Sequence, residues 1–390
     1  TSACAPLAVA LADEHARELE TSLLICEPVH NLISRVIVRR DGVPFQAARH
    51  PSETGSEWLS STDPWFRPVR LMHAPDDSIW LCDMYRQVIE HPQWIPEAWQ
   101  ARLNLSAGAD RGRIYRIARR GDAPAAAPNL SARSPHELVE QIGSPHRWRR
   151  DTAQRLLPDR PAPQAPRRLL ALRSYVLAHA DPAVRVQALW TLAALDPTAR
   201  ADGELRRQVL NSPDADVVIA GLQVFGVDPL DNTDWQPAVL ARHPDLRVQY
   251  QLALSAGDAQ EISARREILT ALTSALHQPW LRAALLSSST GVAADLLAHV
   301  LRELPPTPER EILVDGLIAT ALGANLEVGS AGVLAAITPA PLQPVEDWQF
   351  TALGTCLEQL ERRRRPKTDA PLVAIESARE RIAAVLVEAR

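Results

Sequence analysis

Lysine is almost absent from this sequence. It occurs once, as Lys367, so that arginine supplies 41 of the 42 lysine and arginine residues in a chain of 390 residues. Because arginine also fills ordinary surface positions here, a single arginine is only a weak sign of a binding site. The net charge of −5 is small for this length, and it gives no indication of binding to nucleic acid or to an anionic membrane surface.

Cysteine is scarce as well. The chain has four widely spaced cysteines, which are Cys4, Cys26, Cys82 and Cys356. They form neither a C-x-x-C nor a C-x-x-C-H pattern, so the sequence offers no cysteine-based metal site and no place to attach haem covalently. Scattered cysteines of this kind are usually core residues, although two neighbours could pair in an oxidising compartment.

Long apolar runs are also missing. No stretch reaches the length of about 18 apolar residues that a membrane-spanning helix needs, so no membrane span is predicted. The first residues, "TSACAPLAVALADEHARELETSLLIC", contain neither an initiator methionine nor a basic-then-apolar signal peptide. Because the sequence begins so abruptly, we expect the chain to be a piece of a longer protein.

Residues 1–120 are predicted to be β-structure. Two hairpins are indicated, "ISRVIVRRDGVPFQAA" with its turn at Asp41-Gly42 and "RPVRLMHAPDDSIWLCDMY" with its turn at "PDDS". A short alternating strand, "GRIYRIAR", begins at Gly112. Trp80 lies in an alternating strand and is predicted to be in the core. Strands joined by hairpins at this spacing are typical of a meander, as in a propeller blade or a barrel.

Residues 121–134 are predicted to be a linker. Their sequence, "GDAPAAAPNLSARS", is rich in proline, alanine and small polar residues, which bury little surface. The strand pattern does not continue beyond it. Ser134, with Pro135 at the first helical position and Glu137 three residues after the serine, instead predicts a capping box at the start of a helix.

A repeat follows in the helical part. Five similar segments begin at Ser144, Asp181, Asp214, His243 and Gln278. Their starts are 29 to 37 residues apart, and each has a polar or proline-containing beginning followed by apolar residues at helical spacing, often with an arginine nearby. This pattern resembles HEAT repeats and predicts an α-solenoid over residues 135–302. Trp148, Trp190 and Trp280 are predicted to pack between repeats.

Residues 303–390 remain helical in pattern but lose the repeat. Their last segments, "VEDWQFTALGTCLEQLERRRR" and "APLVAIESARERIAAVLVEAR", are amphipathic. The four arginines at Arg362–Arg365 precede Pro366. They could contact phosphate or a partner, or they could simply be stabilised by the dipole at the end of a helix.

Five motifs in the first 118 residues carry a family resemblance. In order, they are "TSACAPL", "CEPVHNLISR", "STDPWFRPV", "DMYRQVIEHPQWIP" and "DRGRIYRI". Together they resemble the C-terminal end of the propeller in large membrane-bound dehydrogenase-like proteins of planctomycetes and verrucomicrobia. That propeller is similar to the quinone-dependent glucose and sorbosone dehydrogenases. In the family it is commonly followed by HEAT repeats and often by a C-type cytochrome domain.

The resemblance implies a multidomain β + α chain, in which the last one or two blades of a β-propeller precede an α-helical HEAT-repeat solenoid. It also implies an exported, periplasmic parent protein. With pyrroloquinoline quinone and calcium, that parent would oxidise a sugar or similar alcohol and pass electrons to a cytochrome. Its catalytic base and calcium ligands would lie outside this chain, so we expect the chain alone to be inactive.

The resemblance also suggests cofactor-binding residues. In the quinone-dependent sugar dehydrogenases, arginines of later blades hold the cofactor carboxylates, a task that suits the planar guanidinium group. Arg35 in "NLISRVIV" is the first candidate and Arg67 in "WFRPV" the second, whereas the alternative for Arg35 is a surface arginine at a strand end. His30, on a turn, could act as a base or ligand, or could bond a backbone carbonyl.

Two further features leave alternatives open. Asp83 could cap a turn or form an ion pair with Arg86. The segment "EHPQWIP", from Glu90 to Pro96, could line a sugar-binding rim or fill the gap between the β-structure and the helices. Neither feature identifies a catalytic residue.

Two functions are therefore open for the chain. The first is a fragment of an exported quinone-dependent sugar or alcohol dehydrogenase-like oxidoreductase, with the helical array as its scaffold or interaction surface. The second is a non-catalytic module that binds protein or glycan, since solenoids offer concave surfaces and many propellers only bind. Residues 135–390 show no catalytic pattern, so binding or spacing is expected for that part.

Overall fold

The computed structural model describes residues 4–9, 19, 22–121, 123, 126–160, 165–229, 237–324, 326–338, 347–362, 380 and 387. The strands are β1 Cys4–Ala8, β2 Ser22–Glu27, β3 Leu32–Arg40, β4 Phe45–Arg49, β5 Leu59–Ser60, β6 Pro68–His73, β7 Ile79–Asp83 and β8 Arg113–Ile117. The helices are α1 Glu97–Gln100, α2 Pro135–Ile142, α3 Arg147–Leu156, α4 Ala165–Ala178, α5 Pro182–Leu195, α6 Gly203–Leu210, α7 Ala215–Phe225, α8 Pro237–Leu240, α9 Leu246–Gly257, α10 Ile262–Leu272, α11 Pro279–Ser288, α12 Ala293–Glu303, α13 Pro308–Ala324, α14 Leu326–Ile337 and α15 Asp347–Arg362.

The chain is thus a β region followed by a helical region, which confirms the two-part organisation predicted from the sequence. The predicted arginine cluster Arg362–Arg365 lies outside the described residues except for Arg362, where α15 ends. The predicted amphipathic segment at 370–390 also lies outside them, apart from Glu380 and Val387. The chain divides into two compact units, Thr1–Leu195 and Asp196–Arg390.

Two antiparallel sheets form the β region of the first unit. The first sheet has the order β1-β2-β3-β4, with the short β5 paired to β3, and the second has the order β6-β7-β8. The two predicted hairpins are confirmed as β3–β4 and β6–β7. Gly42 and Asp77 in their turns adopt positive φ angles of 65° and 64°, the left-handed conformation that tight hairpin turns require.

The core of the β region lies between the two sheets. Leu24 and Ile33 of the first sheet pack with Leu71 and Leu81 of the second, and each is at most 5% exposed. Side chains alternate between the faces of a strand. Trp80, next to Leu81, therefore lies on the opposite face of β7, where it is only half-buried. The sequence prediction that placed Trp80 in the core was wrong for this reason.

The β6–β7 hairpin turn contacts the helical part of the first unit. The Nδ1 atom of His146, which precedes α3, lies 3.3 Å from the Oδ1 atom of Asp77 in that turn. His73, at the end of β6, is largely buried nearby, and burial lowers its pKa, with the positive charge of Arg147 on α3 as a further cause. The predicted capping box of α2 is confirmed, since Ser134 and Glu137 bond each other's backbone N–H groups.

The burial of His73 predicts a dependence of stability on pH. Because the pKa of His73 is lower in the folded protein than its ordinary value of about 6.5, the unfolded chain binds more protons as the pH falls. Neutral His73 therefore costs the folded protein no stability above about pH 6.5, and the folded protein loses stability as the pH falls below that value. We expect His73→Gln to reduce the fall in Tm between about pH 7.5 and pH 5.5 by about 2 °C.

Thermal unfolding of the wild type and the variant in a series of buffers measures this effect. His136→Gln is the matched control, because the His136 side chain is 60% exposed on α2. It should leave the pH dependence of Tm unchanged. Parallel pH profiles for the wild type and His73→Gln would show that His73 does not titrate with unfolding.

Helices of the second unit form two layers. In one layer α7, α9, α11, α13 and α15 each contact the next, and in the other α8, α10, α12 and α14 do the same. A continuous apolar core lies within this unit, and Leu252, Leu285, Leu297 and Leu317 in it are fully buried. Because a helix pair leaves its apolar face open, neighbouring pairs supply the rest of the core.

Six arginines of the described helices donate hydrogen bonds from one helix to backbone carbonyls at or just beyond the end of an earlier or adjacent helix. We call them the end-capping arginines: Arg150, Arg185, Arg206, Arg265, Arg282 and Arg310. The last carbonyls of a helix have no partner within that helix. A guanidinium group carries five N–H donors in a planar fork, which an ammonium group cannot match. This use of arginine gives a structural reason for part of the unusual arginine content.

Candidate functional site

The sequence-predicted site residues lie in the β region, and Arg67 has the most contacts among them. Its Nη1 atom donates to the carbonyl oxygens of Pro28 at 2.8 Å and Val29 at 3.2 Å, in the turn between β2 and β3. Its Nε and Nη2 atoms donate to the carbonyl oxygens of Arg86 at 2.9 Å and Gln87 at 3.0 Å, just after β7. Arg67 therefore joins a turn of the first sheet to the end of the second.

These bonds use most of the donor capacity of Arg67. A guanidinium group has five N–H donors, and four of them already have carbonyl acceptors. Partial burial lowers the pKa of Arg67, while Asp83 acts in the opposite direction. A bidentate contact with a cofactor carboxylate needs two parallel N–H groups, so Arg67 would have to give up at least one main-chain bond to form it.

Asp83 stabilises the same region as a cap. Asp83 is only 2% exposed. Its Oδ1 atom accepts hydrogen bonds from the backbone N–H groups of Arg67 and Tyr85, both at 2.8 Å. Of the two roles that the sequence left open, the structure gives the turn cap rather than an ion pair with Arg86. Tyr85 has a φ of 49°, an uncommon conformation for a non-glycine residue that the cap helps to hold.

Gly108 packs directly against this turn. It has a φ of 90°, and a Cβ atom at this position would lie 2.2 Å from the carbonyl oxygen of Tyr85. Only glycine can approach the backbone so closely. The guanidinium of Arg113 lies 3.7 Å from the ring centroid of Tyr85, a cation–π contact that adds to the cluster. The sequence shows Gly108, but it contains no pattern that predicts its contact with the backbone of Tyr85.

His30 lies in the turn that Arg67 holds. Its side chain is 65% exposed, and its Nδ1 atom lies 3.5 Å from the Oε1 atom of Glu27. The same carboxylate oxygen accepts from the backbone N–H of Val29 at 3.2 Å. The structure thus brings His30 and Arg67 to one turn, and the imidazole of His30 is open to a ligand.

Arg35 lies in a different contact. It is on β3 opposite Leu24 in register, and its Nη2 atom is 2.6 Å from the Oε1 atom of Glu53, in the turn after β4. Both side chains are more than nine-tenths buried. Removing one partner of a buried ion pair leaves an uncompensated charge, which is costly. Arg35 therefore already has a carboxylate partner within the chain, and it is not a surface arginine.

The segment around Trp94 projects from the β region. Trp94 is 70% exposed and Trp99, on α1, is 58% exposed. Gln100 holds the segment together, since its Nε2 atom donates to the carbonyl oxygens of Pro92 and Ile95, both at 2.7 Å. The exposure of Trp94 does not agree with a role in filling a gap. The indole rings of Trp94 and Trp99 are therefore open to solvent, on a segment that the hydrogen bonds of Gln100 hold in shape.

The described residues contain no metal cluster, and two of the cysteines are held as thiols. There, no group of three or more His, Cys, Asp or Glu side chains is placed to hold a metal ion. Burial raises the pKa of Cys26 and of Cys356 to about 12, so both remain thiols. Among the described helices, none is both long enough and apolar enough to span a membrane.

Comparison with models of protein families finds a match to the β region. Residues 1–121 match the model of a protein family described as a domain of unknown function, DUF7133. The matched range contains both sheets and the contacts of Arg35, Arg67 and His30. A search of curated proteins finds no match.

Proposed function

We propose that this chain is a non-catalytic fragment of an exported quinone-dependent sugar or alcohol dehydrogenase-like oxidoreductase. Its sheets would be the last one or two blades of a β-propeller, and its helices a HEAT-type solenoid that supports the propeller or presents an interaction surface. The observation that carries the non-catalytic role is the arrangement of Arg67, whose guanidinium is bound mainly by main-chain carbonyls. The oxidoreductase assignment rests on the five sequence motifs.

The outer faces of the two sheets support the propeller interpretation. On the face of the first sheet away from the shared core, Leu23 pairs with Val36. On the outer face of the second sheet, Met72 pairs with Trp80. All four are only half-buried, although apolar pairs of this kind stabilise a sheet by packing. In a complete propeller, such faces would pack against the neighbouring blades.

Features of the helices support the HEAT interpretation. Asp181, Asp214 and Asp245, near the starts of three repeats, each accept a backbone N–H two residues later. Such aspartates favour helix starts. These aspartates, the end-capping arginines and the two helix layers recur from one helix pair to the next, as expected of repeated structural elements.

The residues of this chain do not fit the cofactor by themselves. Arg67 has one guanidinium N–H left and Arg35 is bound to Glu53, while the described residues offer no cluster of carboxylates for calcium. Pyrroloquinoline quinone supplies the redox chemistry in the enzymes that the sequence resembles. Here its carboxylates and the calcium would be held by other parts of the parent. Of the three predicted residues, His30 has the exposed side chain that could reach a bound ligand.

Dye reduction by purified proteins tests this proposal. The parent protein, expressed from the continuous reading frame, would be supplied with pyrroloquinoline quinone and calcium and assayed with a panel of aldoses and alcohols. We expect the parent to reduce the dye and the present chain alone to show no activity above the quinone blank. No reduction by the parent with any substrate would contradict the oxidoreductase assignment. Reduction by this chain alone would contradict its non-catalytic role.

A second candidate function is glycan binding, and the observation that favours it is the exposure of Trp94 and Trp99. Flat aromatic faces stack on sugar rings, and the hydrogen bonds of Gln100 fix the segment before a ligand arrives. The exposed carboxylates of Glu90 and Glu97 could accept hydroxyl hydrogens. They would repel polyanionic glycans, so a neutral polysaccharide is the ligand to test.

Affinity electrophoresis in gels containing a soluble neutral polysaccharide tests glycan binding. If the chain binds, the double variant Trp94→Ala and Trp99→Ala should weaken binding by about tenfold or more. Trp280→Ala is the matched control, because Trp280 is 52% exposed on α11 in the other unit. Equal mobility shifts for the double variant and the wild type would contradict this candidate.

A further inference from the structure

Two of the four cysteines lie directly opposite each other in the first sheet. Cys4 of β1 and Cys26 of β2 are partners in the antiparallel register. Opposite residues of two antiparallel strands have Cα atoms about 4.5 to 5.5 Å apart, and their side chains share one face of the sheet. A disulfide needs Cα atoms about 4.4 to 6.8 Å apart. The register therefore meets the backbone requirement for a disulfide between these two residues, which are free cysteines in this structure.

The two side chains also lie in the same core. Cys26 is fully buried between the two sheets, and Cys4 packs against the same cluster of apolar residues. The Sγ atom of Cys4 is 3.6 Å from the carbonyl oxygen of Val69 on β6, so this side chain points toward the second sheet. Besides burial, the charge of Cys4 raises the pKa of Cys26, an effect that acts mainly at short range.

The other two cysteines are less well placed to pair with Cys26. Cys82 on β7 is next to Leu81, which is 1% exposed in the core, so alternation turns Cys82 toward the outer face of the second sheet. The charge of Cys82 also raises the pKa of Cys26, but less than that of Cys4 does. Cys356 lies on α15 in the second unit. Cys82 is therefore the competitor that an experiment has to exclude.

The backbone of β1 gives a local reason for a covalent link. The register shifts between Cys4 and Leu7, and Ala5 has a φ of 44°, an uncommon conformation for a residue with a side chain. Such a bulge interrupts the ladder of hydrogen bonds. In the described part of the sheet, β1 is the terminal strand and pairs with β2. A bond at Cys4 would fix the end of β1 that lies beyond the bulge.

We propose that Cys4 and Cys26 form a disulfide when the protein folds in an oxidising compartment. This inference goes beyond the proposed function and takes from it only the exported location, since disulfides form and persist outside the reducing cytosol. The bond would close a loop from β1 to β2 and so restrict the unfolded chain, which stabilises the folded one.

The oxidant is a second disulfide, either of a small molecule such as oxidised glutathione or of a thiol–disulfide oxidoreductase. The thiolate of Cys4 attacks one sulfur of that disulfide, whose S–S bond breaks and releases one thiolate. The thiolate of Cys26 then attacks the Cys4 sulfur of the mixed disulfide, forms the new bond and releases the second thiolate. The two protons lost by the cysteines go to the two released thiolates, and the two electrons reduce the oxidant.

Burial determines when the bond forms. The pKa of Cys4 is raised by burial and by the charge of Glu27, and burial keeps the Cys26 thiol protonated in the folded, reduced chain. Because the thiolate is the attacking species, the folded thiols should react slowly. The unfolded chain presents ordinary thiols, so we expect the bond to form during folding. The same burial would then protect it from reductants.

Peptide mapping of the complete chain tests the proposal. The reduced and denatured chain is refolded with oxidised and reduced glutathione, alkylated in denaturant and digested with trypsin without reduction. Cys4 and Cys26 fall in separate tryptic peptides, residues 1–17 and 18–35. We expect mass spectrometry to find these peptides linked in most of the refolded chain, with Cys82 and Cys356 alkylated. The absence of a linked peptide, or a link from Cys26 to Cys82, would overturn the proposal.

Thermal unfolding measures what the bond contributes. After refolding in the oxidising buffer, Cys4→Ser should lower the Tm of the first unit by about 5 °C or more relative to the wild type. When both proteins are kept reduced throughout, the difference should be at most about half as large. An equal difference under the two conditions would mean that the loss is one of packing and would overturn the proposal.

Cys82→Ser is the matched control. It should leave the linked peptide in place, together with the difference in Tm between the oxidised and the reduced chain. Loss of the linked peptide in this variant would contradict the pairing of Cys4 with Cys26. If Cys4→Ser fails to fold, the peptide maps of the wild type and Cys82→Ser decide.

The peptide map and the dye assay can fail separately. An inactive parent in which Cys4 and Cys26 are linked would overturn the oxidoreductase assignment and leave the disulfide standing. An active parent in which both remain thiols would overturn the disulfide alone.

Discussion

Replacing Arg67 with alanine is expected to lower the free energy of unfolding of the first unit by about 3 kcal/mol. The side chain supplies hydrogen bonds to the carbonyls of Pro28, Val29, Arg86 and Gln87. The bonds to Pro28 and Arg86 are partly buried, and a partly buried carbonyl that loses its donor costs more than a typical hydrogen bond contributes. The turn between β2 and β3 would also lose its connection to the end of β7. Urea unfolding followed by tryptophan fluorescence measures the change.

The series Arg67→Lys and Arg111→Ala makes this test specific. Lysine keeps the positive charge but cannot reach all these carbonyls as a planar fork, so it should recover less than half of the loss. Arg111 is 65% exposed and lies 3.9 Å from Asp110, so its replacement should change the free energy of unfolding by no more than about 0.5 kcal/mol. A destabilisation by Arg67→Ala as small as that of Arg111→Ala would mean that Arg67 is free for a ligand.

Replacing Arg265 with alanine is expected to destabilise the second unit by about 3 kcal/mol. Its guanidinium donates to the carbonyls of Ala256 at 3.1 Å, and of Gly257, Ala259 and Thr290 at 2.8 Å each. These acceptors lie at the end of α9 and in loops that follow α9 and α11. Its loss would leave several helix-end carbonyls to water in a partly buried place.

Arg266 provides the control within the same helix. Its side chain is 53% exposed and contacts the carboxylate of Asp295 rather than the main chain, so Arg266→Ala should cost about 0.5 kcal/mol or less. Chemical unfolding curves of the two variants should differ in midpoint by several times the experimental error. If the two are equally stable, the main-chain bonds of Arg265 do not contribute to stability.

Local patterns allowed much of the fold to be predicted. The turn at Asp41-Gly42 located one hairpin because glycine readily adopts a positive φ. Ser134 and Glu137 located the start of α2, and the low pKa of Glu137, about 2, reflects the bonds to the Ser134 backbone and to Arg133 that form there. In each case the residues that carry the signal are also the ones that make the contact.

Tertiary contacts were predicted less well. The alternation around Trp80 was correct, but alternation does not say which face of a strand meets a second sheet. Trp280 was predicted to pack between repeats, yet it is 52% exposed. Its neighbour Leu281 is 1% exposed and occupies the core side of α11. The sequence at the start of a helix does not by itself show which of its residues face the core, so the position of Trp280 could not be predicted from its side chain alone.

The candidate site shows the same limit. A sequence reveals Arg35 and Arg67 but not their partners, which are Glu53 in one case and four distant carbonyls in the other. The resemblance supplied a role for both arginines, whereas their contacts indicate that each already has a structural one. His30 was placed on a turn correctly, because its neighbours Glu27 and Pro28 end a strand pattern.

The four end-capping arginines of the second unit, Arg206, Arg265, Arg282 and Arg310, have a consequence for how that unit opens. Each joins a helix to the end of an earlier or adjacent helix, so it couples helices that are neighbours along the chain. A helical stack with such nearest-neighbour couplings behaves as a one-dimensional cooperative system. Local unfolding that begins at one helix would spread along the stack until it reaches an end-capping arginine whose hydrogen bonds remain intact. The spacing of these arginines would then set the length of chain that exchanges its amide hydrogens together.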